Sequence, residues 1–150
     1  MKVVLTTVLE AKVEINKKVV GAISRGYLLL VGFTDGDNKE TVDKMIDKIL
    51  SLRAFPDEHG NINISLQDVN GSILSVSQFT LYADARKGRR PSFVNALTPH
   101  YAEPLYDYFN KLIEEKHGKL STGVFGADMK VSSVNDGPFT LVLDSKELFQ

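Results

Sequence analysis

The chain has 150 residues, 43% apolar and 25% charged, an ordinary balance for a soluble globular protein. Eighteen Lys and Arg against nineteen Asp and Glu leave a net charge of −1, which argues against general binding to a nucleic-acid backbone but allows a local basic patch. The absence of cysteine removes disulfides, thiolate metal sites and a cysteine nucleophile together.

One domain, residues 1–150, is expected. A chain of this length buries roughly 70% of its unfolded surface and needs no staples. No apolar run approaches the roughly 18 residues of a membrane span. The Met1 to Val8 stretch is too short and too polar for a secretory segment. No membrane partner is expected, and the cytoplasm is the expected compartment.

Residues 3–15 alternate loosely and are rich in Val and Thr, which predicts a strand. Asn16-Lys17-Lys18 turns it into a returning strand over 19–23. Residues 27–33 are continuously apolar, as in a strand covered on both faces. Asn38 is a candidate N-cap for a helix over 39–52. Val42, Met45, Ile46, Ile49 and Leu50 form its buried stripe. Residues 56–61 read as a turn, 62–66 as a short strand, Asn70-Gly71 as a hairpin-type turn, and 73–82 as a strong strand.

A second helix is expected between Pro99 and His117, burying Ala102, Leu105, Phe109, Leu112 and Ile113, with Gly118 at C′. Pro104 would cost about 3 kcal/mol inside a helix and little at its first position. The regular helix is therefore expected to begin near Glu103, after a separate turn. Strands over 120–125 and 129–134, a Gly-Pro turn, and a strand over 139–143 follow. The expected fold class is α+β: mixed or antiparallel sheet forming a flattened, barrel-like core, with two amphipathic helices packed outside.

Histidines at 59, 100 and 117 show no HExxH or paired-ligand spacing, and each reads as structural or surface. There is no G-x-S-x-G. No metal site and no cofactor are expected. In Ser75-Val76-Ser77-Gln78-Phe79-Thr80-Leu81-Tyr82, polar residues recur inside an apolar strand. Alternation sets Ser77, Phe79 and Leu81 on one face and Gln78, Thr80 and Tyr82 on the other. This is either a half-exposed strand or the polar floor of a pocket whose hydroxyls, amide and N–H groups bind a carbonyl oxygen.

Arg86-Lys87-Gly88-Arg89-Arg90-Pro91 is either a solvated loop or a phosphate site for a nucleotide or RNA end. Residues 123–129, with Gly126, Ala127 and Met129, make either a tight connection or a flat apolar slot for a base. Gly137-Pro138, between apolar runs, is either a plain turn or a stiff pair of free carbonyls.

Ser77-Gln78-Phe79-Thr80 and Asn135-Asp136-Gly137-Pro138-Phe139-Thr140, with the Arg86 to Phe93 and Gly126 to Met129 segments between them, closely resemble the D-aminoacyl-tRNA deacylases. The resemblance covers essentially the whole chain. It implies a cytoplasmic homodimer that hydrolyses the ester between a D-amino acid and the 3′-terminal adenosine of tRNA. Ser77, Gln78, Phe79 and Thr80 would line the catalytic pocket, with backbone N–H near Phe79 and Thr80 as the oxyanion donor. Gly137 and Pro138, joined by a cis bond, would enter the other subunit's site as the chiral filter. Arg86, Lys87, Arg89, Arg90, Ala127, Met129 and Asn135 would contact the RNA or substrate. The chain departs from the family at Thr6-Thr7, where Gln-Arg is usual, and at Phe139, where Val is usual. The family's arginine helps hold the Gly-Pro turn, so its brace here is open.

With no histidine or cysteine in the motifs, the ribose hydroxyl beside the ester is expected to help activate water, with Thr80 as a competing nucleophile. A filter that excludes side chains would not exclude glycine, so hydrolysis of glycyl-tRNA is also expected. The alternative is a non-catalytic nucleotide- or RNA-end-binding module. No protein partner beyond a second copy is evident.

Overall fold

The structure, a computed structural model, describes residues 1–150. Its longest shared element is β1 (Lys2–Ile15). One edge of β1 pairs antiparallel with β3 (Gly26–Gly32) over residues 2–8 and with β2 (Lys18–Ile23) over residues 11–15. The other edge pairs antiparallel with β8 (Lys130–Asp144) from Lys2 to Glu14. β3 runs parallel to β6 (Ser72–Ser77), and β6 to β7 (Leu120–Thr122). The sheet curls until Ser121 Oγ of β7 donates to the Ala22 carbonyl of β2 at 3.1 Å, which nearly closes a barrel. β4 (Phe55–Pro56) and β5 (Ile62–Ile64) form a separate ribbon.

α1 (Lys39–Ser51) and α2 (Pro99–Lys116) cover one face of the sheet. Val42, Met45, Ile46 and Ile49 of α1 and Ala102, Tyr106, Phe109 and Ile113 of α2 pack there on Val3, Leu5, Leu29 and Val31. Each fully buried aliphatic side chain in such a core contributes roughly 1.5–3 kcal/mol. Inside the curl, Val8, Ala11 and Val13 pack on Leu28, Leu74 and Val76. The inward residues of β1 change from even to odd numbers after Val8 because Leu9 has no partner on β8 and bulges.

The α+β architecture is as expected, as is the α1 stripe apart from Leu50, which is only half-buried, and Asn38 caps α1 by accepting from Thr41 N–H at 3.0 Å. Other details differ. The strand expected over 62–66 ends at Ile64, and the one expected over 120–125 ends at Thr122. α2 begins at Pro99, which takes the first position, and continues through Pro104. Pro104 gives up the bond to the carbonyl of His100, an exposed residue. The buried face of α2 uses Tyr106, with Leu105 and Leu112 only half-buried. The two strands expected around the Gly-Pro pair are one continuous β8, and a short α3 (Ser145–Leu148) follows it.

The Tyr27 ring stacks on Phe55 at 5.2 Å, and its buried hydroxyl has no hydrogen-bond partner. Burial pushes the Tyr27 phenol up to about 12 from its ordinary 10.0, and burial also raises Tyr82 and Tyr106. Ionisation is thus harder in the folded chain. The stability this resists losing is fully present below pH 10 and lost as pH rises through 12. Tyr27→Phe removes an unpaired buried hydroxyl, so at pH 8 it is expected to be at least as stable as the parent. Between pH 10 and 12 its urea midpoint should fall less than the parent's. An equally steep fall would contradict this account.

Candidate active site

β6 ends at Ser77. Gln78 N–H still reaches the Val31 carbonyl at 2.7 Å, and Phe79–Tyr82 then wind into a single 3-10 turn. The strand expected through Tyr82 is corrected, and the two-face assignment with it: Phe79 and Thr80 are exposed while Tyr82 is buried. Gly32 on β3 is what admits the turn, because a Cβ there would lie 2.8 Å from the Gln78 carbonyl oxygen. The first hydrogen bond of the turn runs from Leu81 N–H to the Gln78 carbonyl at 3.3 Å. The N–H groups of Phe79 and Thr80 precede it and have no protein partner. Gln78 Nε2 donates to Thr80 Oγ1 at 2.5 Å.

Ser77, Gln78 and Phe79 border a cleft of about 550 Å³. Phe125, Gly126, Ala127 and Met129 line it as well. Sequence reasoning missed a further wall, Phe93 and residues 96–99. The Phe93 ring meets Phe79 edge-on at 5.2 Å. Leu97 N–H bonds the Phe33 carbonyl at 3.0 Å, and Thr34 Oγ1 donates to the Asn95 carbonyl at 2.6 Å, pinning this segment to the chain just after β3. The available signal was Thr98-Pro99, the cap and first position of α2. Below the cleft, Tyr106 OH donates to the Ser75 carbonyl at 2.9 Å and ties β6 to α2.

No ionisable side chain lines the cleft. His59 lies in an exposed turn, His100 against Tyr101, and His117 Nε2 is 2.8 Å from the Gly71 carbonyl oxygen. The cleft offers apolar walls, two hydroxyls (Ser77 and Thr98), one amide and free N–H donors. Such a set can hold a flat group and a carbonyl oxygen but carries no general base.

The basic segment is a loop closed at its base, where Asp84 and Ser92 exchange hydrogen bonds of 2.7 and 2.8 Å. Arg86 is clasped by Asp84, Nε to Oδ1 at 2.9 Å and Nη2 to Oδ2 at 2.8 Å. Lys87, Arg89 and Arg90 are exposed and have no acidic partner.

On β8, Asn135 pairs with Val8 and Thr140 with Thr6, so Thr7 alone stands opposite the four residues 136–139. The expected turn is therefore an excursion within one strand. The Gly137–Pro138 bond is cis, and Gly137 has φ +118, a region open to glycine. Gly137 and Pro138 are exposed, while Phe139 is half-buried and packs on the main core. Thr7 Oγ1 donates to the Asp136 carbonyl at 2.9 Å. Asn135 lies on the exposed strand, accepting from Ser133 Oγ at 2.7 Å. The cleft thus gathers Ser77, Gln78, Phe79, Ala127 and Met129, with Thr80 one hydrogen bond away. Asn135, Gly137, Pro138 and the four basic residues do not line the same chain's cleft.

Residues 4–144 match the family model for D-Tyr-tRNA(Tyr) deacylase. This chain belongs to that family. It is 54% identical over 144 residues to the D-aminoacyl-tRNA deacylase of Lactobacillus acidophilus, covering 96% of this chain and 99% of that one. It is 50% identical over 149 residues to that of Thermosipho africanus, covering 99% and 100%. A solved structure of the c-Myc DNA unwinding element binding protein matches with a TM-score of 0.90 at 37% identity, covering 96% of this chain and 98% of that one. A probable eukaryotic D-amino acid tRNA deacylase matches at 0.82 and 21% identity, covering 95% and 97%, and shows the shared fold. As a member of the deacylase family, the chain is an enzyme of the hydrolase class.

The hydrogen bonds from Arg86 hold the Asp84 carboxyl down at about 2, against an ordinary 3.8. The clasp's contribution is therefore present above pH 3.8 and lost as pH falls through 2. In ¹⁵N NMR spectra the Arg86 Nε–H signal should stay protected from pH 7 to pH 4 and lose protection in Asp84→Ala at every pH. Unchanged protection in Asp84→Ala would rule the clasp out.

Proposed function

We propose that the chain hydrolyses the ester joining a D-amino acid to the 3′-terminal adenosine of tRNA, freeing both. It does so as a single domain, residues 1–150, within a cytoplasmic homodimer. One observation carries the reading: the cleft holds no ionisable side chain, yet the N–H groups of Phe79 and Thr80 stand unbonded beside it. An aminoacyl ester is already activated. Its hydrolysis needs positioning and donors aimed at the developing oxyanion more than a strong protein base.

In this mechanism the Phe79 and Thr80 N–H groups receive the carbonyl oxygen, and the ribose hydroxyl beside the ester helps activate water. Thr80 Oγ1 has only the Gln78 amide beside it, and an amide accepts no proton at neutral pH. A threonine nucleophile needs such an acceptor. Ala127 and Met129 form an apolar slot for the adenine, and Phe125 adds an aromatic wall. Lys87, Arg89 and Arg90 meet phosphates near the RNA end, while Arg86 keeps the loop in shape. Asn135 is assigned to substrate contact across the dimer.

Gly137 and Pro138 act as a chiral filter in the other subunit's site. The support is that the excursion is exposed and lies outside its own chain's cleft. The filter works by refusing an L side chain, so glycine passes.

The deciding experiment measures turnover of D-tyrosyl-, L-tyrosyl- and glycyl-tRNA by the purified protein. D-tyrosyl- and glycyl-tRNA should be hydrolysed and L-tyrosyl-tRNA spared. Binding of all three without turnover would favour a non-catalytic RNA-end module, for which the basic loop alone suffices. Resistance of glycyl-tRNA at high enzyme concentration would replace exclusion by positive recognition of the D side chain.

Removing a true nucleophile costs about 10⁴-fold or more in kcat. Thr80→Ala is expected to keep kcat within about tenfold of the parent, since only positioning is lost. Complete loss in a folded variant, or a trapped acyl adduct on Thr80, would overturn the substrate-assisted route.

A further inference from the structure

Thr6 and Thr7 are buried hydroxyls in an otherwise apolar part of β1, 8% and 4% exposed. Their hydroxyls meet β8 at the two ends of the 136–139 excursion. Thr6 Oγ1 lies 3.2 Å from Thr140 Oγ1, where the excursion rejoins the ladder. Thr7 Oγ1 donates to the Asp136 carbonyl at 2.9 Å, where the excursion leaves it.

The two bonds do different work. Thr140 is already fixed by pairing with Thr6 in the ladder, so their hydroxyl contact adds to a register that exists without it. Asp136 has no ladder partner, and the Thr7 hydroxyl holds its peptide group directly. The peptide from Asp136 to Gly137 is planar and trans. Pinning its carbonyl toward β1 therefore turns the Gly137 N–H the opposite way and fixes the plane from which Gly137 and Pro138 continue. Gly137 itself has the widest backbone freedom of any residue type, so the local sequence supplies little to hold that plane. Thr7 is too deeply buried to touch a ligand, so any effect it has runs through Asp136.

We propose that Thr7 is a positioning residue for stereochemical selection: its hydroxyl sets the plane of the Asp136–Gly137 peptide and through it the placement of Gly137 and Pro138 against the substrate. The proposal rests on the reading of Gly137 and Pro138 as the chiral filter.

The test compares Thr7→Val, Thr7→Ser and Thr6→Val with the parent, each as the full-length chain. The readouts are melting temperature and kcat/KM on D- and L-tyrosyl-tRNA. Thr7→Val keeps the branched shape and removes the donor. Its D:L ratio should fall about tenfold or more, the effect of losing one buried hydrogen bond, chiefly through faster L hydrolysis. Thr7→Ser keeps the donor and should hold the ratio within about threefold of the parent. Thr6→Val should lower the melting temperature and leave the ratio unchanged. A folded Thr7→Val with the parent's ratio overturns the proposal. If Thr7→Val does not fold, Thr7→Ala is judged by the same criterion. A parent with no D preference sinks the filter reading and the role of Thr7 together. A parent that prefers D, matched by Thr7→Val, sinks the role of Thr7 alone.

Discussion

β1 is hydrogen-bonded along both edges, and this double pairing fixes the positions of most other elements. Through β3 it sets the height at which β6 stops, and so where the Phe79 turn opens onto the cleft. Through β8 it sets where the Gly137 excursion stands. A strand held on one edge only could slip its register to absorb four residues facing one. Slipping β1 would move its whole buried set to the wrong face, in both apolar clusters at once. The irregularity is therefore forced outward as an exposed projection.

The proposed chemistry divides along the same lines. The cleft is apolar, without ionisable side chains, and suited to holding a base and a carbonyl oxygen. Discrimination is assigned to backbone at residues 137 and 138, away from the donors at Phe79 and Thr80. Such a division explains how a chain with so few reactive side chains serves a hydrolase family: little in the site attacks the ester, and much of it constrains which ester fits. The basic loop is similarly economical. Arg86 is committed to Asp84, which leaves Lys87, Arg89 and Arg90 for a ligand on a loop already closed at its base.

What the sequence made legible was mostly local. The α1 stripe, its Asn38 cap and the C′ Gly118 follow from spacing within a turn or two, and all are present. The errors came from distant partners. Residues 73–82 keep an alternating apolar pattern past Ser77, and the strand stops there because Gly32, on another strand, leaves room for the chain to fold back. β8 reads as two strands because Gly-Pro interrupts the pattern, and the ladder to β1 is what makes it one. The brace from Thr7 to Asp136 spans 129 positions and carries no sequence pattern at all. The Asp84–Arg86 clasp, two residues apart, was there to be read. The motif residues of the cleft were found by resemblance, although Phe93, at the end of one motif segment, was given no role, and the 96–99 wall belongs to a segment without alternation or glycine to mark it.

Leu9 gives the excursion a further meaning. Residues 136–139 put four positions opposite Thr7, an odd surplus that by itself would turn the rest of β8 over, front to back. Leu9, opposite nothing on β8, adds one on the other strand and returns the two strands to phase, so that Val131 again stands opposite Val13 and lines the cleft. The excursion and the bulge at Leu9 are thus linked through the shared ladder. With Thr6–Thr140 and Val8–Asn135 held in register on either side, a change in the number of residues between them is taken up by the exposed projection, and its reach from the sheet changes with it.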